Sequence, residues 1–179
     1  GKLIIFPEGN HHYKKSLRSF KKGIARIALG AAEKQKYKIP LFVVPLGIDY
    51  GNHFSMNGDL LLNTGDPIKV DDYFQSHQKD PAETINNLTA KVYEKLEKLV
   101  INIKDLENYD AIYYLLHKIP LKKKIKSISG RFDERQKRLY RIEELKVNNE
   151  DKYADLINGA KQLKTLCDKK KIKPYLFKN

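Results

Sequence analysis

The sequence contains one cysteine, Cys167, and no neighbouring His or Cys that would partner it at a metal. An internal disulfide is excluded, and the usage fits a reducing cytoplasm. Long apolar runs are also missing: no window approaches the roughly eighteen consecutive apolar residues of a membrane-spanning helix. The apolar part of residues 1–7 is too short for a secretory signal. There is no internal repeat and no low-complexity linker. Acidic residues are scarce, 22 against 35 Lys and Arg, giving a formal charge of +13. With 41% hydrophobic and 32% charged residues, the chain belongs to the globular class, not the disordered one.

The positive charge points to anionic partners: nucleic acid, an acidic membrane surface, an acidic carrier protein or phosphorylated small molecules. It is unevenly placed. Residues 1–80 hold 12 Lys/Arg and 8 Asp/Glu, whereas residues 81–179 hold 23 and 14. The second half therefore suits an electrostatic footing better than chemistry.

Lys2 to Phe6 is an apolar run stopped by Pro7, the pattern of a buried strand ending in a loop. A polar, basic loop follows to Ser19. A helix is expected over 21–36, with Ile24, Ile27, Ala28 and Ala31 as its apolar stripe. Leu41 to Ile48 reads as a further buried strand, so the strand–helix–strand order suggests βαβ with a sheet covered on both faces. Leu60 to Leu62 and Gly65 to Val70 suggest a strand pair or one bent strand. Asp80-Pro81-Ala82-Glu83 is a strong helix start: Asp as N-cap, Pro at the first position, Glu at the third. Ile85, Leu88, Val92, Leu96 and Leu99 continue it at helical spacing. Residues 108–118, 131–145 and 151–171 are expected to be helices, flanked by the basic runs Lys122–Lys124 and Lys169–Lys171. With so few strands following the first, the sheet is expected to be part of a larger one, and the chain part of a larger domain.

Chemistry concentrates in residues 6–23. A strand end is where α/β sheets bind ligands, and a helix N-terminus attracts anions through its free N–H groups. Arg18, Lys21 and Lys22 crowd that positive end. Such crowding is unfavourable unless an anion is near, although exposed lysines cost only tenths of a kcal/mol there, so a solvated basic loop is the competing reading.

Phe6-Pro7-Glu8-Gly9, then Leu17-Arg18-Ser19-Phe20-Lys21-Lys22-Gly23 at ungapped spacing, resembles the third conserved block of the glycerophospholipid acyltransferase family (the lysophosphatidic acid and glycerol-3-phosphate acyltransferases). Leu41 to Ile48, with its Val44-Pro45, resembles the fourth block. Leu62 to Ile68 resembles the Gly-x-Pro-Ile segment that follows. The resemblance covers about residues 2–75. It implies transfer of a fatty acyl group from acyl-CoA or acyl carrier protein to a hydroxyl of a glycerophosphate or lysophospholipid, with no bound cofactor or metal. By position it makes Glu8, Gly9, His11 and Arg18 acceptor-binding residues, Lys14, Lys21 and Lys22 phosphate or acyl-carrier contacts, and Pro45 a pocket residue.

The chain departs from the family pattern twice. His11 stands where the pattern has arginine, and imidazole lacks the guanidinium fork, so either the acceptor differs from lysophosphatidic acid or Lys14 and Lys15 take over the charge. The family's catalytic block is His, four residues, then Asp, with His as general base. After four intervening residues the five histidines here meet Ser16, Leu17, Gly58, Ala82 and Lys122, and His53 to Asp59 misses by one position. No residue of this chain is therefore assigned as catalytic, and the dyad is expected upstream.

The expected fold is α/β: a partial sheet of the glycerol-phosphate-acyltransferase type with covering helices, then a mainly helical extension. Residues 1–79 form the later part of the acyltransferase domain, 80–104 an amphipathic helix packing on it, and 105–179 a basic helical extension. Ile112, Leu115, Leu116 and Ile119 beside Lys122–Lys124 suggest contact with an anionic bilayer, and so a cytoplasmic protein held peripherally at the inner membrane face. The competing reading is an ordinary helical subdomain. A catalytically inactive lipid- or carrier-binding protein is the alternative function. Nucleic-acid binding ranks last, because the aromatics sit at helical core spacing and not on a strand platform.

Overall fold

The computed structural model describes residues 1–10, 13–51, 58–121 and 125–171. The chain divides into two compact units, Gly1–Asn102 and Ile103–Asn179.

The first unit is organised by helix α1 (Gly23–Lys34) packed on helix α3 (Pro81–Glu97). The buried face of α1 is Ala25, Ala28, Leu29 and Ala32, one position on from the stripe expected, and Ile27 is half exposed. Both stripes satisfy the 3.6-residue period, so periodicity alone does not choose between them. The observed one puts three alanines beside Leu29, and these small side chains admit a close neighbour. Leu88 and Val92 of α3 close on this face, together with Ile68 and Val70. The helix start at Asp80 forms as expected, its carboxylate accepting from Glu83 N at 2.9 Å.

The strands depart from the βαβ expectation. β1 (Phe42–Val43) pairs antiparallel with β4 (Ile68–Lys69), and β2 (Leu46–Tyr50) pairs antiparallel with β3 (Leu60–Thr64). Among the described residues no strand pair is parallel. The two pairs are one long hairpin interrupted at its middle. Val44-Pro45 breaks the outgoing arm, where Pro45 cannot donate to a ladder. Asp66-Pro67 breaks the return arm. Gly65 N still donates to Pro45 O at 2.9 Å, and Val70 N to Leu41 O at 2.9 Å. Between those bonds the return arm carries one more residue than the outgoing arm, the count of a β-bulge.

Residues 2–6, expected as a strand, have no strand assignment, and Leu3, Ile4 and Phe6 are 72–80% exposed. An apolar run becomes a strand only when a neighbour takes its N–H and C=O groups, and no described strand pairs with this one. Beyond β4 a 3₁₀ turn (Val70–Tyr73) and helix α2 (Phe74–Lys79), neither apparent in the sequence pattern, lead into α3. After α3 the backbone presses on the hairpin. A Cβ on Gly47 would lie 2.4 Å from Leu99 O, and Asn63, opposite Gly47 in the ladder, donates to that oxygen at 2.9 Å.

The second unit is helical: α4 (Tyr109–His117), α5 (Ile128–Asn148) and α6 (Glu150–Lys169). Asn149 alone joins α5 to α6 and caps the latter, accepting from Lys152 N at 3.0 Å. Arg138 of α5 donates to the carbonyls of Leu115, Ile119 and Pro120, which satisfies the end of α4. Asp105 gathers Lys146 Nζ at 2.6 Å, Tyr153 OH at 2.7 Å and Asn108 N at 3.0 Å. Burial pushes its carboxyl up, but these hydrogen bonds outweigh burial and hold it well below the usual carboxylate range. Ile112 and Leu116, proposed from sequence for a bilayer contact, are almost fully buried, because α4 packs that face against α5 and α6. Lys122–Lys124 lie outside the described residues. No helix among the described residues is long and apolar enough to cross a membrane.

Candidate functional site

Residues 6–22 form a loop closed at its base. Phe6 O accepts from Gly9 N at 3.3 Å, making Phe6-Pro7-Glu8-Gly9 a turn. Pro7 presets the φ of its second position, and Gly9 takes the left-handed φ of +72° that glycine tolerates. Pro7 O then accepts from Lys21 N at 2.7 Å, so the two ends of the loop meet. The Lys21 side chain runs across Gly9, where a Cβ would touch its Cγ at 3.5 Å. The chain thus returns at Lys21 to the point it leaves at Pro7.

Two buried contacts pin the body of the loop. Lys15 forms an ion pair with Asp49 of β2, each side chain 7% exposed, and donates to Tyr50 O at 2.8 Å. Leu17 N donates to Asn102 Oδ1 at 2.8 Å, and Asn102 is itself oriented by donating to Glu97 Oε1 at 2.9 Å. The charge of Lys15 is therefore committed inside the protein and does not compensate for His11, as the sequence had suggested. A lysine at 15 carries no sequence mark separating it from Lys14. Only Asp49, an acidic residue on the inward side of an otherwise apolar strand, could have signalled the pair.

With Lys15 withdrawn, Lys14, Arg18, Lys21 and Lys22 remain at the surface and Glu8 is half-buried. Lys21 lies with Pro7 and Gly9 at the base of the loop. Lys22 directly precedes α1, whose first turn has no acidic residue and whose N-cap makes no side-chain hydrogen bond. The unsatisfied N–H groups there and the adjacent ammonium groups make one positive locus. His11 and His12 lie outside the described residues, as does His53. Pro45 stands apart from this locus, buried at the hairpin interruption.

Lys22 also lines an open recess of about 520 Å³ with Ser19, Phe20, Asn86, Thr89, Ala90 and Tyr93. Its volume falls within the roughly 300–1,000 Å³ of small-molecule sites. Phe20 meets Tyr93 edge to face at a centroid distance of 5.0 Å. The sequence reading named no α3 residue for a site. Yet Asn86, Thr89, Ala90 and Tyr93 share one helical face, and that spacing was the available signal. Among the described residues no cluster of His, Cys, Asp or Glu could hold a metal ion.

The chain is 35% identical over 113 residues to glycerol-3-phosphate O-acyltransferase 2 of Saccharomyces cerevisiae, a match covering 63% of this chain and 15% of that protein. It is 26% identical over 106 residues to glycerol-3-phosphate O-acyltransferase 1 of the same yeast, covering 58% of this chain and 14% of that protein. The chain thus spans a small fraction of the length of these relatives. No family model and no solved structure matches it.

Proposed function

We propose that residues 6–22 form the acceptor-binding side of an acyltransferase that esterifies a hydroxyl of a glycerophosphate in glycerolipid synthesis. The observation that carries this reading is the closed loop itself. Its ends are tied at Pro7 and Lys21, its body is fixed by Lys15 and Asn102, and Lys21 and Lys22 meet the N-terminus of α1. A phosphate monoester seated there would take hydrogen bonds from those N–H groups and ammonium groups, with Arg18 as a further guanidinium contact. Glu8, at the turn beside Gly9, would accept from a glycerol hydroxyl, and Lys14 would contact the phosphate or an acidic acyl carrier. The sequence similarity to the two yeast glycerol-3-phosphate acyltransferases supports the choice of ligand.

The donor in this reading is an acyl thioester of coenzyme A or acyl carrier protein. Attack by the acceptor hydroxyl on the thioester carbonyl needs a general base to take the hydroxyl proton. No described residue of the loop is placed for that role, and in this reading the loop contributes recognition of the acceptor. Anchoring at an anionic cytoplasmic membrane face belongs to the same reading, with the basic surface as its source.

Calorimetric titration with glycerol 3-phosphate, inorganic phosphate and glycerol tests the proposal. Glycerol 3-phosphate is expected to bind best and glycerol not at all. Glu8→Ala should weaken glycerol 3-phosphate while leaving inorganic phosphate unchanged. Equal affinity for the two phosphates, in both the parent chain and Glu8→Ala, would remove the hydroxyl contact from the proposal. Absence of binding by either would remove the site.

A further inference from the structure

Asn102, the last residue of the first unit, is 5% exposed and sits between two groups that demand opposite chemistry. The backbone N–H of Leu17 can only donate, and it reaches Asn102 Oδ1 at 2.8 Å. The ionised carboxylate of Glu97, at the end of α3, can only accept, and Asn102 Nδ2 donates to it at 2.9 Å. An amide satisfies both, with its acceptor and its donor on one planar group. A carboxylate in its place would meet Glu97 charge to charge. The hydrogen bond to an ionised partner also polarises the amide, which makes its oxygen a better acceptor for Leu17.

The backbone that carries Asn102 is itself held. After α3, Leu99 N returns to Leu96 O, and Leu99 O accepts from Asn63 of β3 at 2.9 Å while lying against Gly47 of β2. The same hairpin presents Asp49 to Lys15. The loop is therefore gripped at position 15 through β2 and at position 17 through the segment after α3. Arg18 follows at once and is exposed, so its side chain starts from the peptide that Asn102 fixes. Lys21 has a separate tie, its N–H donating to Pro7 O.

We propose that Asn102 is a positioning residue for Arg18. It touches no ligand; through the Leu17 N–H it sets the point from which the guanidinium reaches the phosphate. The proposal rests on the reading of residues 6–22 as the acceptor-binding side. A planar guanidinium fork must register with two oxygens, so it depends on where its backbone starts more than the point charge of a lysine does.

Double-mutant cycles read by calorimetric titration with glycerol 3-phosphate test this, on chains shown by circular dichroism to be folded. Asn102→Asp keeps the side-chain shape but sets a carboxylate against Glu97. It should weaken binding by about threefold, the same factor as Arg18→Ala. Added to Arg18→Ala it should cause no further loss, whereas added to Lys21→Ala the two factors should multiply. Glu97→Gln returns a donor to the pair and should restore most of the affinity of the Asn102→Asp chain. Asn102→Ala, which brings no like charges together, carries the same cycles should Asn102→Asp fail to fold. Full affinity in the Asn102 variant, or a loss that multiplies with that of Arg18→Ala, overturns the proposal and leaves the acceptor site standing. A parent chain that binds no glycerol 3-phosphate removes the acceptor site and this proposal with it.

Discussion

The ammonium of Lys15 and the carboxylate of Asp49 form an ion pair in the interior of the first unit, 34 positions apart in the chain. The pair joins the basic loop to β2, and it fixes where Tyr13 and Lys14 emerge. Removing one partner leaves the other charge buried without compensation. Lys15→Met is expected to destabilise the first unit by about 3–5 kcal/mol, while Lys15→Met with Asp49→Leu recovers most of that loss. Urea unfolding of the single and double variants gives both numbers. Equal destabilisation by both would show that the loop depends on the ion pair and not on packing.

Gly47 and Gly30 should respond in opposite directions to the same substitution. A Cβ at Gly47 meets Leu99 O at 2.4 Å, whereas a Cβ at Gly30 meets nothing within 4 Å. Gly47→Ala is expected to cost about 1–3 kcal/mol through forced backbone movement. Gly30→Ala, at an exposed position inside α1, is expected to add up to about 1 kcal/mol. Chemical denaturation midpoints decide between them.

Asp105 should govern the acid sensitivity of the second unit. Its folded-state pKa is depressed, so its contribution is fully present above the unfolded value of about 3.9 and is lost as pH falls through the folded value. Asp105→Asn should lower stability at neutral pH and flatten the fall in stability below about pH 4. Urea midpoints measured against pH for the two proteins check this. Tyr153, whose phenol is pushed up by burial and by the Asp105 carboxylate, stays protonated across that range and keeps donating.

The helices were largely legible in the sequence, and the sheet was not. Asp80-Pro81-Ala82-Glu83 announces α3 because capping is local chemistry, and the capping bond forms as the residues imply. The three helices of the second unit follow from long runs of helical spacing. The strand expected over 41–48 is split, because Pro45 acts through a ladder whose partner lies twenty residues on. Its antiparallel pairing with 60–70 is equally non-local. The expected strand at 2–6 fails for the same reason: its apolarity is visible in the sequence, but its lack of a described partner is not. Within the candidate site the motif residues Phe6 to Gly9 form a turn tied back to Lys21. The motif could not separate Lys15, which is structural, from Lys14, and it said nothing of Asn102 or of the recess face of α3.

The acceptor site is tested most directly by the affinity for glycerol 3-phosphate of the parent chain and of variants that remove its exposed cations one at a time. Lys21→Ala and Lys22→Ala should each weaken binding by about tenfold, the scale of one charge-assisted hydrogen bond. Arg18→Ala should weaken it less, and added salt should weaken the parent most. Affinity unchanged in the Lys21→Ala, Lys22→Ala double variant, with its fold intact by circular dichroism, would contradict the assignment of this loop as the phosphate-binding side of an acyltransferase.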